Sequence, residues 1–156
     1  MSARFRHRIR VRWAECDQQG VVFYANYLAY FDIAITELWR AALGSYDGMI
    51  EAGTDMVVAE ATIRYRSAAR FDDELDLLAT ITRLGTTSVT TALSIERAPD
   101  GSGRGEFERP AEAETIVEGE LRHVFVEAGT VEKKPMPAYI RRALESYAAR
   151  PSGTLA

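Results

Sequence analysis

The stretch from Glu15 to Leu43, ECDQQGVVFYANYLAYFDIAITELWRAAL, constrains the fold more than any other part of the chain. An acidic turn tightens at Gly20 and leads into a long helix. At about 100° per residue, Asn26, Asp32, Thr36, Glu37 and Arg40 share an arc of roughly 140°. Tyr27, Tyr30, Phe31, Ala34, Ile35, Leu38, Trp39 and Ala42 fill the opposite half. A helix of roughly 20 residues rises about 30 Å, the diameter of a small domain. So apolar a helix needs a broad surface to cover it, and the rest of the chain has to build that surface.

Strand patterns supply it. Residues 4–13, RFRHRIRVRW, alternate with a period of two, which puts Phe5, His7, Ile9, Val11 and Trp13 on one face and arginines on the other. Arginines on an exposed strand blunt an edge or keep it soluble, with anion binding as the alternative. Gly44 stands where a helix ends, and Ser45 to Thr54 reads as a loop. Three further runs read as strands: Met56 to Arg66, Leu75 to Leu84 and Thr87 to Arg97. The turn-like SAARFDDE follows the first, and Gly85 marks a turn after the second. A loop over 98–110 precedes a long strand, Ala111 to Glu127, with a row of Glu residues on its wet face. A short helix, Ala138 to Ala149, closes the chain. The expectation is one domain over residues 1–156, of α+β class, in which a meander-like antiparallel sheet of about five strands wraps one long central helix.

Composition narrows the function classes. The chain is 47% hydrophobic and 27% charged, which suits a globular domain, and its net charge of −4 argues against nucleic acid as the main partner. The single cysteine, Cys16, rules out an intrachain disulfide and suits a reducing compartment. No secretory signal follows the basic N-terminus, and Asp32, Glu37 and Arg40 interrupt the only long apolar helix, so no membrane insertion and a cytoplasmic location are expected. His7 and His123 have no Cys or carboxylate at ligand spacing, so no metal site is expected. Cys16 lacks a linked histidine base and reads as a small packed residue.

The motif Asp-x-x-Gly-Val-Val-x-Tyr-x-Asn-Tyr, from Asp17 to Tyr27, together with Val11-Arg12-Trp13 before it and Glu37 after it, resembles the hotdog-fold family of 4-hydroxybenzoyl-CoA thioesterase-like acyl-CoA thioesterases. Weaker matches follow in order at Ile63-Arg64-Tyr65, Phe71 to Leu75 and the Leu84 to Ser88 turn, so the resemblance runs over residues 5–147. It implies hydrolysis of an acyl-CoA to a carboxylic acid and free coenzyme A, with no separate cofactor. It also implies a homodimer or homotetramer with sites at the subunit interface. The alternative is a non-catalytic acyl-CoA-binding module on the same fold. A hydratase is disfavoured, because no histidine lies within 14–43.

The resemblance assigns Asp17 as the catalytic carboxylate, either a base for water or a nucleophile, and the backbone N–H of Tyr24 as the donor that polarises the carbonyl. Read without it, an Asp before a helix is a charge favouring the helix dipole. Thioester hydrolysis needs both a base or nucleophile and a donor aimed at the developing oxyanion. Glu37 either supports Asp17 or pairs with a neighbouring arginine. Gly20, Val21, Asn26 and Tyr27 form the substrate-contacting stretch, with Gly20 allowing close approach. Asn26 either bonds the Asp17 turn or caps the helix. For the coenzyme A phosphates the candidates are Arg64 and Arg66, with Arg70 and Arg83, and the hydroxyls of Thr87 and Ser88. The aromatic residues of the helix either line an aryl pocket or pack the core.

Overall fold

The alternating segments join into a single five-stranded sheet in the computed structural model, which describes residues 4–99 and 112–149. Its strands are β1 (Phe5–Arg10), β2 (Thr54–Tyr65), β3 (Glu74–Leu84), β4 (Ser88–Arg97) and β5 (Glu114–Glu127). Every neighbouring pair is antiparallel, in the order β1-β3-β4-β5-β2. Only β3, β4 and β5 form a true meander. β2 leaves its sequence neighbour β3 and pairs with β5 instead, so β1 and β2 are the two edges. The expected meander is corrected in that respect: the 67–73 turn carries the chain across the sheet.

The long helix α1 (Asn26–Leu43) crosses this sheet. Its buried residues are Tyr27, Tyr30, Phe31, Ala34, Ile35, Leu38 and Trp39, the face expected from the spacing. They meet Leu77, Ala79 and Ile81 of β3, Leu93 and Ile95 of β4, and Val117, Leu121 and Phe125 of β5 in one core. A fully buried Leu or Phe side chain stabilises such a core by roughly 1.5–3 kcal/mol. Gly44 ends α1, its N–H donating to the Arg40 carbonyl at 2.9 Å. Gly119 of β5 lets the helix approach: a Cβ there would collide with the Thr62 carbonyl oxygen and come within 2.9 Å of the Phe31 ring.

Two helices complete the layer. Within the expected 45–54 loop, α2 (Tyr46–Glu51) forms because Ser45 caps it, its Oγ accepting from the Gly48 N–H at 3.1 Å. The last helix, α3 (Ala138–Glu145), buries Ile140 and Leu144 and stops short of the expected Ala149. Residues after it bridge to β3 instead, Ala149 donating to the Ile81 carbonyl at 2.8 Å. The expected 98–110 loop and the start of the Ala111 strand fall largely outside the described residues.

The arginine face of β1 does more than keep an edge wet. Arg6 and Arg8 both pair with Asp76 of β3, a residue only 1% exposed. Partial burial pushes the Asp76 carboxyl up, but the two guanidiniums outweigh it and hold its pKa below the usual range. Trp13 departs from its expected inward place. The strand ends at Arg10, the 3-10 turn Trp13–Glu15 rotates the chain, and Trp13 emerges 72% exposed, edge-on to Phe71 at 5.4 Å.

Gly119→Ala is expected to destabilise the fold by roughly 1–3 kcal/mol, because backbone and Phe31 must both yield. Thermal unfolding checks it: melting should fall by about 2–10 °C in a domain of this size. An unchanged melting temperature would mean that α1 is not held this close to β5.

Candidate active site

The candidate site starts as a hairpin. Cys16 bridges Val22, the Asp17 N–H donates to the Val21 carbonyl at 2.9 Å, and the Phe23 N–H donates to the Glu15 carbonyl at 2.9 Å. Asp17 and Gly20 stand at the tip, with the Gly20 N–H on the Asp17 carbonyl at 3.0 Å. Gly20 has φ +75°, a left-handed conformation that a side chain would strain. The Asp17 carboxylate accepts from the Gln19 N–H through Oδ1 at 2.8 Å, while Oδ2 has no partner among the described residues.

The hairpin hands over directly to α1. Asn26 begins the helix, and its Nδ2 donates to the Glu15 carbonyl at 2.8 Å, so it ties the helix start to the hairpin rather than capping the helix. The Tyr24 N–H finds no acceptor among the described residues, and the residue is exposed. Its carbonyl oxygen accepts from the Tyr65 hydroxyl at 3.1 Å, which fixes the peptide from the side of β2. Beneath, the Val22 N–H reaches the Ala69 carbonyl at 2.9 Å and the Ala69 N–H reaches the Tyr27 hydroxyl at 3.1 Å. Arg97 ties the 67–73 turn to the sheet through Asp73 and the Ala68 carbonyl, at 3.1 and 2.6 Å. Tyr24, Tyr27 and Tyr65 stack edge-on in one aromatic cluster around the helix start.

Glu15 holds this unit together, and sequence reasoning assigned it nothing. Its carboxylate accepts from the Arg12 N–H at 2.8 Å, the Arg12 Nε at 3.0 Å and the Tyr30 hydroxyl at 2.8 Å. Partial burial pushes the Glu15 carboxyl up, but these hydrogen bonds outweigh it and its pKa lies below the usual carboxylate range. Burial, then the Glu15 carboxylate, push the Tyr30 hydroxyl up. The only signal in the sequence was the S/T-x-x-E-like spacing of Arg12 and Glu15, which lacks the hydroxyl residue that makes that pattern recognisable.

The other candidates separate. Gly20, Val21, Asn26 and Tyr27 sit with Asp17 and Tyr24 on the hairpin and the first helical turn. Arg64 and Arg66 lie at the end of β2 nearest this hairpin, but Arg66 is engaged with Glu118, its Nε 3.0 Å from the carboxylate. Arg70 bridges back to Val21 through its backbone. Thr87 and Ser88 lie at the turn joining β3 to β4, at the opposite end of the sheet, about 30 Å away along the strands. Arg83 shares that far end. Within one chain these residues do not reach Asp17. Glu37 stands about 16 Å along α1 from Asn26 and pairs with Arg40, so it is not brought to Asp17 either. Burial, then the charges of Glu15, Asp17 and Asp73, push the Cys16 thiol up, which disfavours the thiolate a nucleophile needs. Among the described residues no three His, Cys, Asp or Glu side chains converge to hold a metal ion. Nor is any helix among them long and apolar enough to cross a membrane.

A single long helix laid across a five-stranded antiparallel sheet defines a hotdog-fold protein. The sequence between residues 19 and 103 matches the family model of the thioesterase superfamily, and the chain belongs to that family. The acyl-CoA thioester hydrolase YbgC of Escherichia coli is 33% identical over 94 residues, which cover 60% of this chain and 70% of that one. Among solved structures, a 1,4-dihydroxy-2-naphthoyl-CoA thioesterase from Synechocystis superposes with a TM-score of 0.76 at 19% identity, covering 91% of this chain and 96% of that one. A hypothetical protein from Thermus thermophilus reaches 0.75 at 26% identity, covering 91% and 98%.

Glu15→Gln is expected to lower the melting temperature at pH 7 by roughly 3–6 °C, the shift that about 1.5 kcal/mol produces in a domain of this size. Since the folded pKa is depressed, the carboxylate's contribution is complete above the ordinary value of 4.5 and is lost as pH falls through the folded value. Melting curves of both proteins should therefore converge as the pH is lowered from 4.5 through the depressed folded value. A gap that stays constant into acid would show that the charge on Glu15 contributes nothing.

Proposed function

We propose that the protein is an acyl-CoA thioesterase whose site is the hairpin and helix start of α1. Asp17 acts on the thioester carbon, as base for a water or as nucleophile, and the Tyr24 N–H polarises the carbonyl oxygen. The single observation that carries this reading is that one hairpin running into α1 carries both an unpartnered Tyr24 N–H and, at its tip, an Asp17 Oδ2 without a partner among the described residues, in a chain of the thioesterase superfamily. Negative charge develops on the carbonyl oxygen as the carbon is attacked, and one preorganised donor lowers such a barrier by about 3–4 kcal/mol. In the base route a water oxygen bonds to the carbon, its proton passes to Asp17, the C–S bond breaks, and the coenzyme A thiolate takes a proton. The products are a carboxylic acid and free coenzyme A. No step calls for a cofactor.

The same reading makes the active unit a homodimer or homotetramer, and the exposed edge of β2 supports it. Residues Val57–Thr62 are exposed in succession, with Val58 54% exposed, along a strand of 12 residues. So long an uncovered edge is a template for another strand, and a second copy paired antiparallel satisfies it with two-fold symmetry. That pairing brings the far end of the partner's sheet, with its Thr87 and Ser88 turn, to the Asp17 end. The lone Cys16 and the absence of a long apolar helix among the described residues fit a cytoplasmic location.

Asp17→Asn is expected to cut thiol release from acyl-CoA esters by a hundredfold or more, the scale of a lost base, while acyl-CoA still binds. Equal turnover by both proteins would remove Asp17 from the chemistry. Binding of esters without turnover by either protein would favour a non-catalytic acyl-CoA-binding module. Sedimentation equilibrium tests the assembly: a mass of two or four chains is expected, and a monomer at micromolar concentration would contradict it.

A further inference from the structure

The turn between β3 and β4 is gripped by the last helix. Arg141 of α3 donates through Nη1 to the Leu84 carbonyl at 3.3 Å and through Nη2 to the Gly85 carbonyl at 2.5 Å. The Met136 N–H donates to the Thr86 carbonyl at 2.7 Å, and the Phe125 N–H to the Thr87 carbonyl at 2.8 Å. The Gly85 N–H donates to the Ser88 carbonyl at 2.8 Å, so every carbonyl from Leu84 to Ser88 is engaged. In a planar trans peptide the C=O and the N–H of one unit point in opposite directions. The Thr86 N–H shares its peptide with the Gly85 carbonyl and therefore points away from Arg141. The Thr87 N–H shares its peptide with the Thr86 carbonyl and points away from Met136. Neither N–H finds an acceptor among the described residues.

Charge selects an anion for these donors. Arg141 is half-buried, and its partners are the two carbonyls, so no carboxylate among the described residues neutralises it. Arg83, exposed near the end of β3, is likewise without an ion pair among them. Successive open N–H groups beside guanidiniums are the donors that bind phosphate. Coenzyme A carries phosphate at its nucleotide end. Ser88 faces Val124, and Val124 faces Val57 of β2, so the turn stands two strand spacings, about 10 Å, from the edge where a second copy pairs. The Asp17 hairpin lies against that same strand, where the Tyr65 hydroxyl meets the Tyr24 carbonyl. The long arm of a coenzyme A bound at one hairpin thus leads across the edge toward this turn of the other copy.

We propose that Arg141 is a positioning residue for substrate. By holding the Leu84 and Gly85 carbonyls it turns the Thr86 N–H, and with it the Thr87 N–H, toward a phosphate group of the coenzyme A bound at the hairpin of the second copy. This rests on the thioesterase reading and the two-fold pairing above. Arg141 acts through the turn and stays remote from the reacting carbon.

The test places the acyl group that the native protein turns over fastest on three carriers: coenzyme A, dephospho-coenzyme A and N-acetylcysteamine, which has no phosphate. Turnover of each ester is measured for the native protein, Arg141→Met and Arg141→Lys. Arg141→Met should raise KM for the coenzyme A ester by about tenfold, the scale of one hydrogen bond to a charged group, with kcat unchanged. Its kcat/KM on the N-acetylcysteamine ester should equal the native value, and Arg141→Lys should recover part of the loss. A penalty that vanishes on the dephospho ester assigns the 3′-phosphate to the turn, and one that persists assigns the pyrophosphate. An equal loss on all three esters, a fall in kcat alone, or an unchanged KM would overturn the proposal. An amide chemical-shift titration of the native protein with adenosine 3′,5′-bisphosphate needs neither a variant nor turnover. The Thr86 and Thr87 N–H signals should move, and signals that stay in place at millimolar nucleotide would contradict the assignment. If nothing is hydrolysed, the thioesterase reading fails, and this titration alone decides whether the turn holds phosphate.

Discussion

Burial of one face of α1 against the sheet is the constraint on which the rest of the molecule depends. Leu38 and Trp39 are wholly enclosed, and Phe31 lies against the bare backbone of Gly119. Once that face is fixed, the helix has no freedom of rotation, so its polar stripe must point away from the sheet centre. The start of the helix must also sit where the last residues of β2 and the 67–73 turn converge. The position of the candidate site is therefore a consequence of core packing, and the hairpin adds only local detail.

That local detail is electrostatic. A hairpin of eight or nine residues has too little apolar surface to hold its own shape against chain entropy. Here the Glu15 carboxylate and carbonyl gather Arg12, Tyr30, Phe23 and Asn26, while Tyr65 and Ala69 fasten the helix start from β2 and the following turn. The Tyr24 N–H stays open because its neighbours' groups are engaged elsewhere. An open donor in a fixed frame suits a site that meets developing charge, since no reorganisation is needed when the charge appears.

Much of this was legible in the sequence because periodicity reports burial directly. The seven buried residues of α1 fall on the face that the 3.6-residue spacing selects, and the alternation of β3, β4 and β5 marks their inner faces. The spatial arrangement of strands was less legible: nothing in Met56 to Arg66 says that its partner is β5, some sixty residues on in the register, rather than β3. Alternation also misplaced Trp13, because it is blind to where a strand ends. α2 was missed because two glycines outweighed the Ser45 cap. Asp17, Tyr24, Gly20, Val21, Asn26 and Tyr27 are near one another in sequence as well as in space, so a motif could find them. Thr87 and Ser88 are distant in both, and only a second copy of the chain could bring them near. Glu15 carries no motif at all; its significance is in hydrogen bonds made between separate segments of the chain.

The central claim is that a thioester carbonyl lies between Asp17 and the Tyr24 N–H. A crystal structure of Asp17→Asn bound to a slowly hydrolysed acyl-CoA tests it most directly. The expected result is a carbonyl oxygen within about 3 Å of the Tyr24 nitrogen, with residue 17 facing the carbonyl carbon. A thioester bound elsewhere, with the Tyr24 N–H left to solvent, would contradict it.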